Sequence, residues 1–219
     1  MGEFWVVEGI DGAGKSHLLS RLTDSTREAV VLRKDTLPTS GDPRADERLS
    51  AMHRLTWDYD HVEPVWHYPA RYWLYTLAAW YELFHHVHVA PALSCGRSVV
   101  VDGWYFKHQA RMALSGDERL EDLAARVFSA LPQPDHIAKL STPAYLAAAR
   151  RHGNSKPSEH GVFVTGEATT SARSFTDYQT RTDLALGTLL AAHPAPVHTV
   201  DSGSGAEHLM SLLRKKAAP

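Results

Sequence analysis

Eight consecutive residues, Gly9-Ile10-Asp11-Gly12-Ala13-Gly14-Lys15-Ser16, fit the pattern G-x-x-x-x-G-K-[ST] in full. They follow a short apolar run, Phe4-Trp5-Val6-Val7, and precede a stretch with helical spacing at Leu18, Leu19 and Leu22. That is the strand–loop–helix context the pattern requires. The glycines let backbone N–H groups turn inward around phosphate oxygens at the positive end of the following helix. Lys15 is expected to set its ammonium against the β- and γ-phosphates, and the Ser16 hydroxyl to ligate Mg²⁺. His17 extends the same nucleotide-binding stretch. A second carboxylate is needed for the metal or its water. Asp102 ends the most strand-like run of the chain, Ser98-Val99-Val100-Val101, so it is expected at the carboxyl edge beside the loop; capping a following helix is a compatible role. ATP and Mg²⁺ are the cofactors this set implies.

The rest of the chain alternates in the same manner. Ala29–Leu32, His136–Leu140 and Pro196–Val200 read as further strands. Helical patterns cover Lys15–Arg27, Tyr68–Leu93, Glu118–Leu131, Thr142–Arg151, Phe175–Ala192 and Ala206–Lys216, and Pro38–Pro43 is a loop. Strands alternating with helices of this length imply parallel pairing with right-handed crossovers. The expected architecture is therefore α/β, a five-stranded parallel sheet flanked by helices in a P-loop fold, with residues 1–219 forming one domain. Gly153 to Ser174 is polar and rich in Gly, Ser and Thr, and is expected to be a mobile surface segment, with a lid at roughly 150–174.

Composition narrows the partners. Lys and Arg number 23 against 25 Asp and Glu, a net charge of −2, so no global basic field points to nucleic acid. Full protonation of the 14 His would take the chain to +12, which makes its surface electrostatics sensitive to acid. The one cysteine, Cys95, has no intrachain partner and favours a reducing compartment. No apolar run is long enough to span a bilayer, and the start Met1-Gly2-Glu3-Phe4-Trp5 has neither a basic region nor an apolar one. A cytoplasmic protein with a small-molecule partner and no membrane or nucleic-acid partner is expected.

The run Phe4 to Ser16, with Glu8-Gly9-Ile10-Asp11-Gly12-Ala13-Gly14-Lys15-Ser16 at its end, resembles the opening of thymidylate kinases. Pro91-Ala92-Leu93, Gly96 and Val99-Val100-Val101-Asp102 resemble that family's second signature, and Val200-Asp201 with the final helix resembles its adenine-contacting end. The resemblance implies ATP-dependent transfer of a phosphoryl group to a nucleotide or nucleotide-like acceptor. It implies that Asp11 reaches the acceptor sugar, that Glu8 is a buried acid behind the loop, and that Arg33 contacts the acceptor phosphate. Ala13 stands where some members carry an arginine, and in such cases a lid arginine supplies the charge. Arg150 and Arg151 are the catalytic candidates, with Lys156 and Arg173 flanking the same segment. One such arginine can be worth about 10³–10⁵ in rate.

Three departures bear on the acceptor. Asp102-Gly103-Trp104 replaces Asp-Arg-Tyr, with Lys107 and Arg111 one and two helical turns further on as substitutes. No arginine lies between Trp73 and Ala90 to pair with a base edge, and Arg33-Lys34-Asp35-Thr36-Leu37-Pro38 lacks the family's Arg-Glu-Pro-Gly-Gly. The acceptor pocket is instead expected to rest on aromatic surface from Trp73, Tyr75, Trp80 or Tyr81, and dTMP is expected to be a poor acceptor. A nucleoside or other hydroxyl acceptor is the second reading, with Asp102 or Glu8 as base. A P-loop binding module or switch is a third, though no Asn-Lys-x-Asp motif is present. The dense aromatics from Trp57 to Phe84 suit a core together with a dimer face, with some of them lining a planar-acceptor pocket, and a homodimer is expected. His85, His86 and His88 read as a polar or partly buried helix face rather than a zinc site.

Overall fold

The strand that precedes the glycine-rich loop organises both layers of the molecule. In β1 (Phe4–Glu8), all five residues are buried. Successive side chains of a strand point to opposite faces. Phe4 and Val6 accordingly join one core with Leu74, Trp80, Phe84, Trp104 and Phe128, while Trp5 and Val7 join the other with Leu18, Leu19, Leu22 and Leu209. A strand covered on both faces needs apolar residues at every position, which is why this run does not alternate.

The computed structural model describes residues 2–26, 29–58, 68–151, 153–162, 170–201 and 203–217. After β1 come α1 (Lys15–Ser25), β2 (Ala29–Leu32), α2 (Pro43–Trp57), α3 (Ala70–Phe84), a π-helical turn (His85–Val89), α4 (Ala90–Ser94) and β3 (Ser98–Asp102). There follow α5 (Phe106–Ala113), α6 (Glu118–Ser129), β4 (His136–Ser141), α7 (Ala144–Arg151), a 3₁₀ turn (Pro157–His160), α8 (Ala172–Ala192), β5 (Val197–Asp201) and α9 (Gly205–Ala217). The sheet is five-stranded in the order β2-β3-β1-β4-β5, with every pairing parallel. The chain leaves β1 toward one edge and β4 toward the other, so a crevice opens beyond the carboxyl end of the central strand. None of the described helices is long and apolar enough to cross a membrane.

Two helices were not legible in the apolar spacing. In α2 only Leu49 and Thr56 are buried, and its start is set by Asp42, whose carboxylate accepts from Arg44 N–H, with Pro43 in the first turn. The short α5 buries Phe106, Lys107, Ala110 and Met112. The expected helix Tyr68–Leu93 runs from Ala70 to Ser94 with a π-helical turn inside it, where His88 is 8% exposed and His85 lies against Phe4 at 5.7 Å between rings. Among the described residues no cluster of three or more metal-ligating side chains occurs.

The expected surface segment after α7 is corrected in part. Ser158, Glu159, His160 and Val162 are buried. His160 explains much of this: its two ring nitrogens lie 2.8 Å from Ser174 Oγ and 2.8 Å from Ser155 Oγ, tying the 3₁₀ turn to the start of α8. Within the lid range 150–174, residues 152 and 163–169 lie outside the described residues, as do Tyr59 and Trp66 of the aromatic set.

Candidate functional site

The loop from Gly9 to Gly14 turns where only glycine fits. Gly12 has φ +75°, and a Cβ there would meet the Ala147 carbonyl at 2.7 Å, so α7 lies directly on the loop. Gly14 has φ +101° and is the residue from which α1 starts. With no side-chain cap on α1, its first N–H groups are left to face whatever enters the crevice. Lys15 Nζ reaches back to donate to the carbonyls of Gly9 at 2.8 Å and Ile10 at 3.0 Å. Ala13, fully buried, offers its carbonyl to Thr142 Oγ1 at 2.9 Å and to an Arg150 Nη at 3.0 Å.

Around this turn lies a cleft of about 390 Å³. Its lining holds Asp11, Gly12, Ala13, Gly14, Lys15, Ser16, His17, Asp102, Lys107, Arg111, Arg150 and Arg151, twelve of the candidate residues. The strand and helix termini deliver them: β3 presents Asp102, α5 presents Lys107 and Arg111, and α7 presents Arg150 and Arg151. Seven cationic side chains, those of Lys15, Lys34, Lys107, Arg111, Arg150, Arg151 and Lys156, line it against three carboxylates, Asp11, Asp102 and Glu159. The cleft thus has an excess of four formal positive charges in a chain whose net charge is −2.

These charges are ordered by one another. The Asp11 carboxylate accepts from Lys107 Nζ at 2.5 Å, from the Arg111 guanidinium, and from Gln179 Nε2 at 3.2 Å. Burial alone would raise its pKa, but Arg111 and Lys107 hold it well below the usual carboxylate range. The Arg151 guanidinium grips Glu159 with two donors. Glu159 is raised by burial and by nearby Asp11, while Arg151 acts in the opposite sense. Gln179, completely buried, closes the circuit: its Oε1 accepts from Asp11 N–H at 3.1 Å and its Nε2 donates to the Glu159 carbonyl at 2.8 Å. Loop, 3₁₀ turn, α7 and α8 are thereby held in one polar network.

Burial lowers the Lys15 pKa to about 8, helped by Lys107 and opposed by Asp11, Asp102 and Glu8. Burial also lowers Lys34, against the pull of Asp102. His108 is pushed well below its ordinary value by burial, then by Lys107, Arg111 and Lys34, so its imidazole is neutral. Asp102 is 5% exposed, and its Oδ1 has no hydrogen-bond partner among the described residues. A buried carboxylate oxygen left over in a cationic cleft, with the exposed Ser16 hydroxyl in the same lining, is a donor set that suits a hard, oxygen-seeking cation such as Mg²⁺.

Several expected residues sit elsewhere. Arg33 does not line the cleft: its guanidinium pairs with Asp35 in a tight turn bridged from Arg33 to Thr36, and the next residue, Lys34, enters instead. Lys34 Nζ would lie 3.4 Å from a Cβ at Gly103 and sits 4.6 Å from the Trp57 ring centroid, so the missing side chain at position 103 makes room for this ammonium. Tyr81 and Trp80 are core residues at 1% exposure, Tyr81 donating its hydroxyl to the Trp104 carbonyl at 2.9 Å, and Tyr75 is 53% exposed. Of the aromatic set from Trp57 to Phe84, Trp57 and Trp73 line an adjoining side pocket, and Trp57 lines the cleft as well. Gly9 contributes its carbonyl to Lys15 from below the lining. Lys34, His108, Ser158, Glu159 and Gln179 were not foreseen as site residues. Gln179 is 168 positions from Asp11, and no local spacing announces such a pair.

Glu8 lies beneath the loop, 1% exposed, accepting from Trp104 N–H at 2.7 Å. Its pKa is raised above 4.5 by burial, although the Trp104 bond and Lys15 pull it down. A raised folded-state pKa means that the folded protein holds the proton more tightly than the unfolded chain. The stability from this group is therefore full below pH 4.5 and is lost as pH rises through the folded value. Glu8→Gln keeps an acceptor for Trp104 without the charge. Its melting temperature relative to the parent is expected to rise as pH increases above 4.5 and to level off once pH passes the folded value; an offset that does not change with pH would contradict this.

Compared with known proteins, the chain matches no family model, and no curated protein matches it significantly.

Proposed function

We propose that the protein is an ATP- and Mg²⁺-dependent phosphotransferase of the P-loop type, whose acceptor is a small molecule carrying its own phosphate, a nucleotide or another phosphomonoester. The observation that carries this reading is the cleft's excess of four positive charges around the glycine-rich turn. A phosphomonoester brings about −2 at pH 7, and a magnesium-bound triphosphate about as much again. The two together match the cleft, whereas a hydroxyl acceptor would leave half of the positive charge uncompensated.

In this reading Gly12 to Ser16 and Lys15 hold the donor phosphates. Ser16 and Asp102 would hold Mg²⁺, which when bound neutralises charge on the β- and γ-phosphate oxygens. Lys34, Lys107 and Arg111 orient the acceptor phosphate. Arg150 and Arg151, on the helix that lies against Gly12, stabilise charge on the transferring group, where one arginine is worth about 10³–10⁵ in rate. Asp11 and Glu159 keep these cations aligned before substrates arrive.

The test is ADP release. Phosphomonoesters are expected to accelerate it at least tenfold over ATP alone, with dTMP a poor acceptor and the matching dephosphorylated compounds inactive. Acceleration by the alcohols would select a hydroxyl kinase, and no acceleration by any acceptor would select a binding module.

Lys15 adds a pH signature. With its pKa near 8 in the free protein, the ammonium must regain a proton to face phosphate above that pH. ATP binding is expected to take up protons at pH 8.5 and almost none at pH 6.5, read by calorimetry in buffers of different ionisation enthalpy. Equal uptake at both pH values would separate Lys15 from the phosphates.

A further inference from the structure

We propose that the acceptor is the monophosphate of a compact apolar alcohol, a single-ring aryl or branched alkyl body seated in the side pocket with its phosphate in the cationic cleft. This rests on the phosphotransferase reading and narrows it away from nucleotides. The side pocket opens beside the cleft, and Trp57, His108, Arg111 and Ser158 line both. Beyond them the wall is Trp73, Leu77, Met112 and Leu120.

Two hydroxyls on that wall are already committed. Thr56 Oγ1 donates to the Met52 carbonyl at 2.7 Å, and Ser115 Oγ to the Met112 carbonyl at 2.6 Å. A nucleobase edge placed there would find neither hydroxyl proton free for its C=O and ring-nitrogen acceptors. An apolar body meets no such penalty. Size points the same way. The pocket measures about 110 Å³ and is open toward the cleft, less than the apolar cavity of about 150 Å³ that holds benzene, so it seats a short branched chain or most of one ring and far less of a purine. Polar recognition is gathered where the two cavities meet. Trp57, which lines both cavities, carries a buried Nε1–H with no partner among the described residues, and His108, also in both linings, is pushed well below its ordinary value by burial and then by Lys107 and Arg111.

The step balances. An oxygen of the acceptor phosphate forms a new bond to the γ-phosphorus of ATP as the bond to the β,γ-bridging oxygen breaks. ADP and a diphosphate ester result, with no proton gained or lost overall.

The experiment compares benzyl phosphate, 3-methylbutyl phosphate, dTMP, CMP and AMP as acceptors by ADP release, and as ligands by displacement of inorganic phosphate at equilibrium. Benzyl or 3-methylbutyl phosphate is expected to exceed every nucleotide at least tenfold in kcat/KM and to bind at least tenfold more tightly than inorganic phosphate. Met112→Gln is expected to remove that advantage while leaving inorganic phosphate binding unchanged. If none of the acceptors supports ADP release but the apolar phosphates keep their binding advantage, the transfer reading falls and the pocket assignment stands. A nucleotide equal to or better than the apolar phosphates, or apolar phosphates binding no tighter than inorganic phosphate, overturns the proposal.

Discussion

Lys15→Ala is expected to abolish acceptor-dependent ATP turnover, lowering it by at least about 10²–10³-fold, the range for removing one preorganised donor from a transferring group. The fold is expected to survive. The Lys15 ammonium is withdrawn from water in a cleft rich in like charge, and its pKa of about 8 records that the charged form is held at a cost. What it gives locally is two hydrogen bonds to the buried carbonyls of Gly9 and Ile10, a local loss that lowers the melting temperature but leaves both cores of the sheet untouched. Turnover by ADP release, with circular dichroism and the melting temperature alongside, separates the two effects. An unfolded variant would make Lys15 a structural residue, and a fully active one would remove it from the phosphate site.

Asp102→Asn comes next in size. The carboxylate ends the buried strand β3 and keeps Oδ1 unpartnered among the described residues, so its charge is not consumed by a neighbouring hydrogen bond at that oxygen. Groups that orient a metal ion's ligands or bound water typically cost 10–100-fold in activity on removal. Mg²⁺-dependent turnover is expected to fall by about 10–100-fold, while ATP affinity, set by the loop and the cations, changes by less than about threefold. Equal losses of both would make Asp102 a cap for the chain that follows it.

The sheet was readable because strands buried on both faces carry continuous apolar runs. Val99-Val100-Val101 and Phe4-Trp5-Val6-Val7 could be little else, and all five strands lie within a residue or so of where the pattern puts them. The helix α2 escaped because it buries only Leu49 and Thr56, leaving almost no apolar stripe to detect. In the site, the residues of the contiguous motif were legible, since the spacing is itself the signal. Those that complete the cleft were not. Lys34 enters because Arg33 is taken by Asp35 two residues on, a local competition that composition does not reveal. Gln179 reaches Asp11 across 168 positions and links it to the Glu159 carbonyl, contacts that no local spacing encodes. The aromatic run was misleading for a related reason: Trp80 and Tyr81 are as suited to a core as to a ligand, and the helix turns both inward.

Phosphorus NMR of the products tests the central claim most directly. The protein, Mg²⁺, ATP and a mixture of phosphomonoesters are combined and followed over time. The expected result is ADP appearing in equal amount with a new diphosphate ester, and no such product with Lys15→Ala. Unconsumed ATP, or ATP converted only to ADP and inorganic phosphate, would contradict phosphoryl transfer to a phosphorylated acceptor.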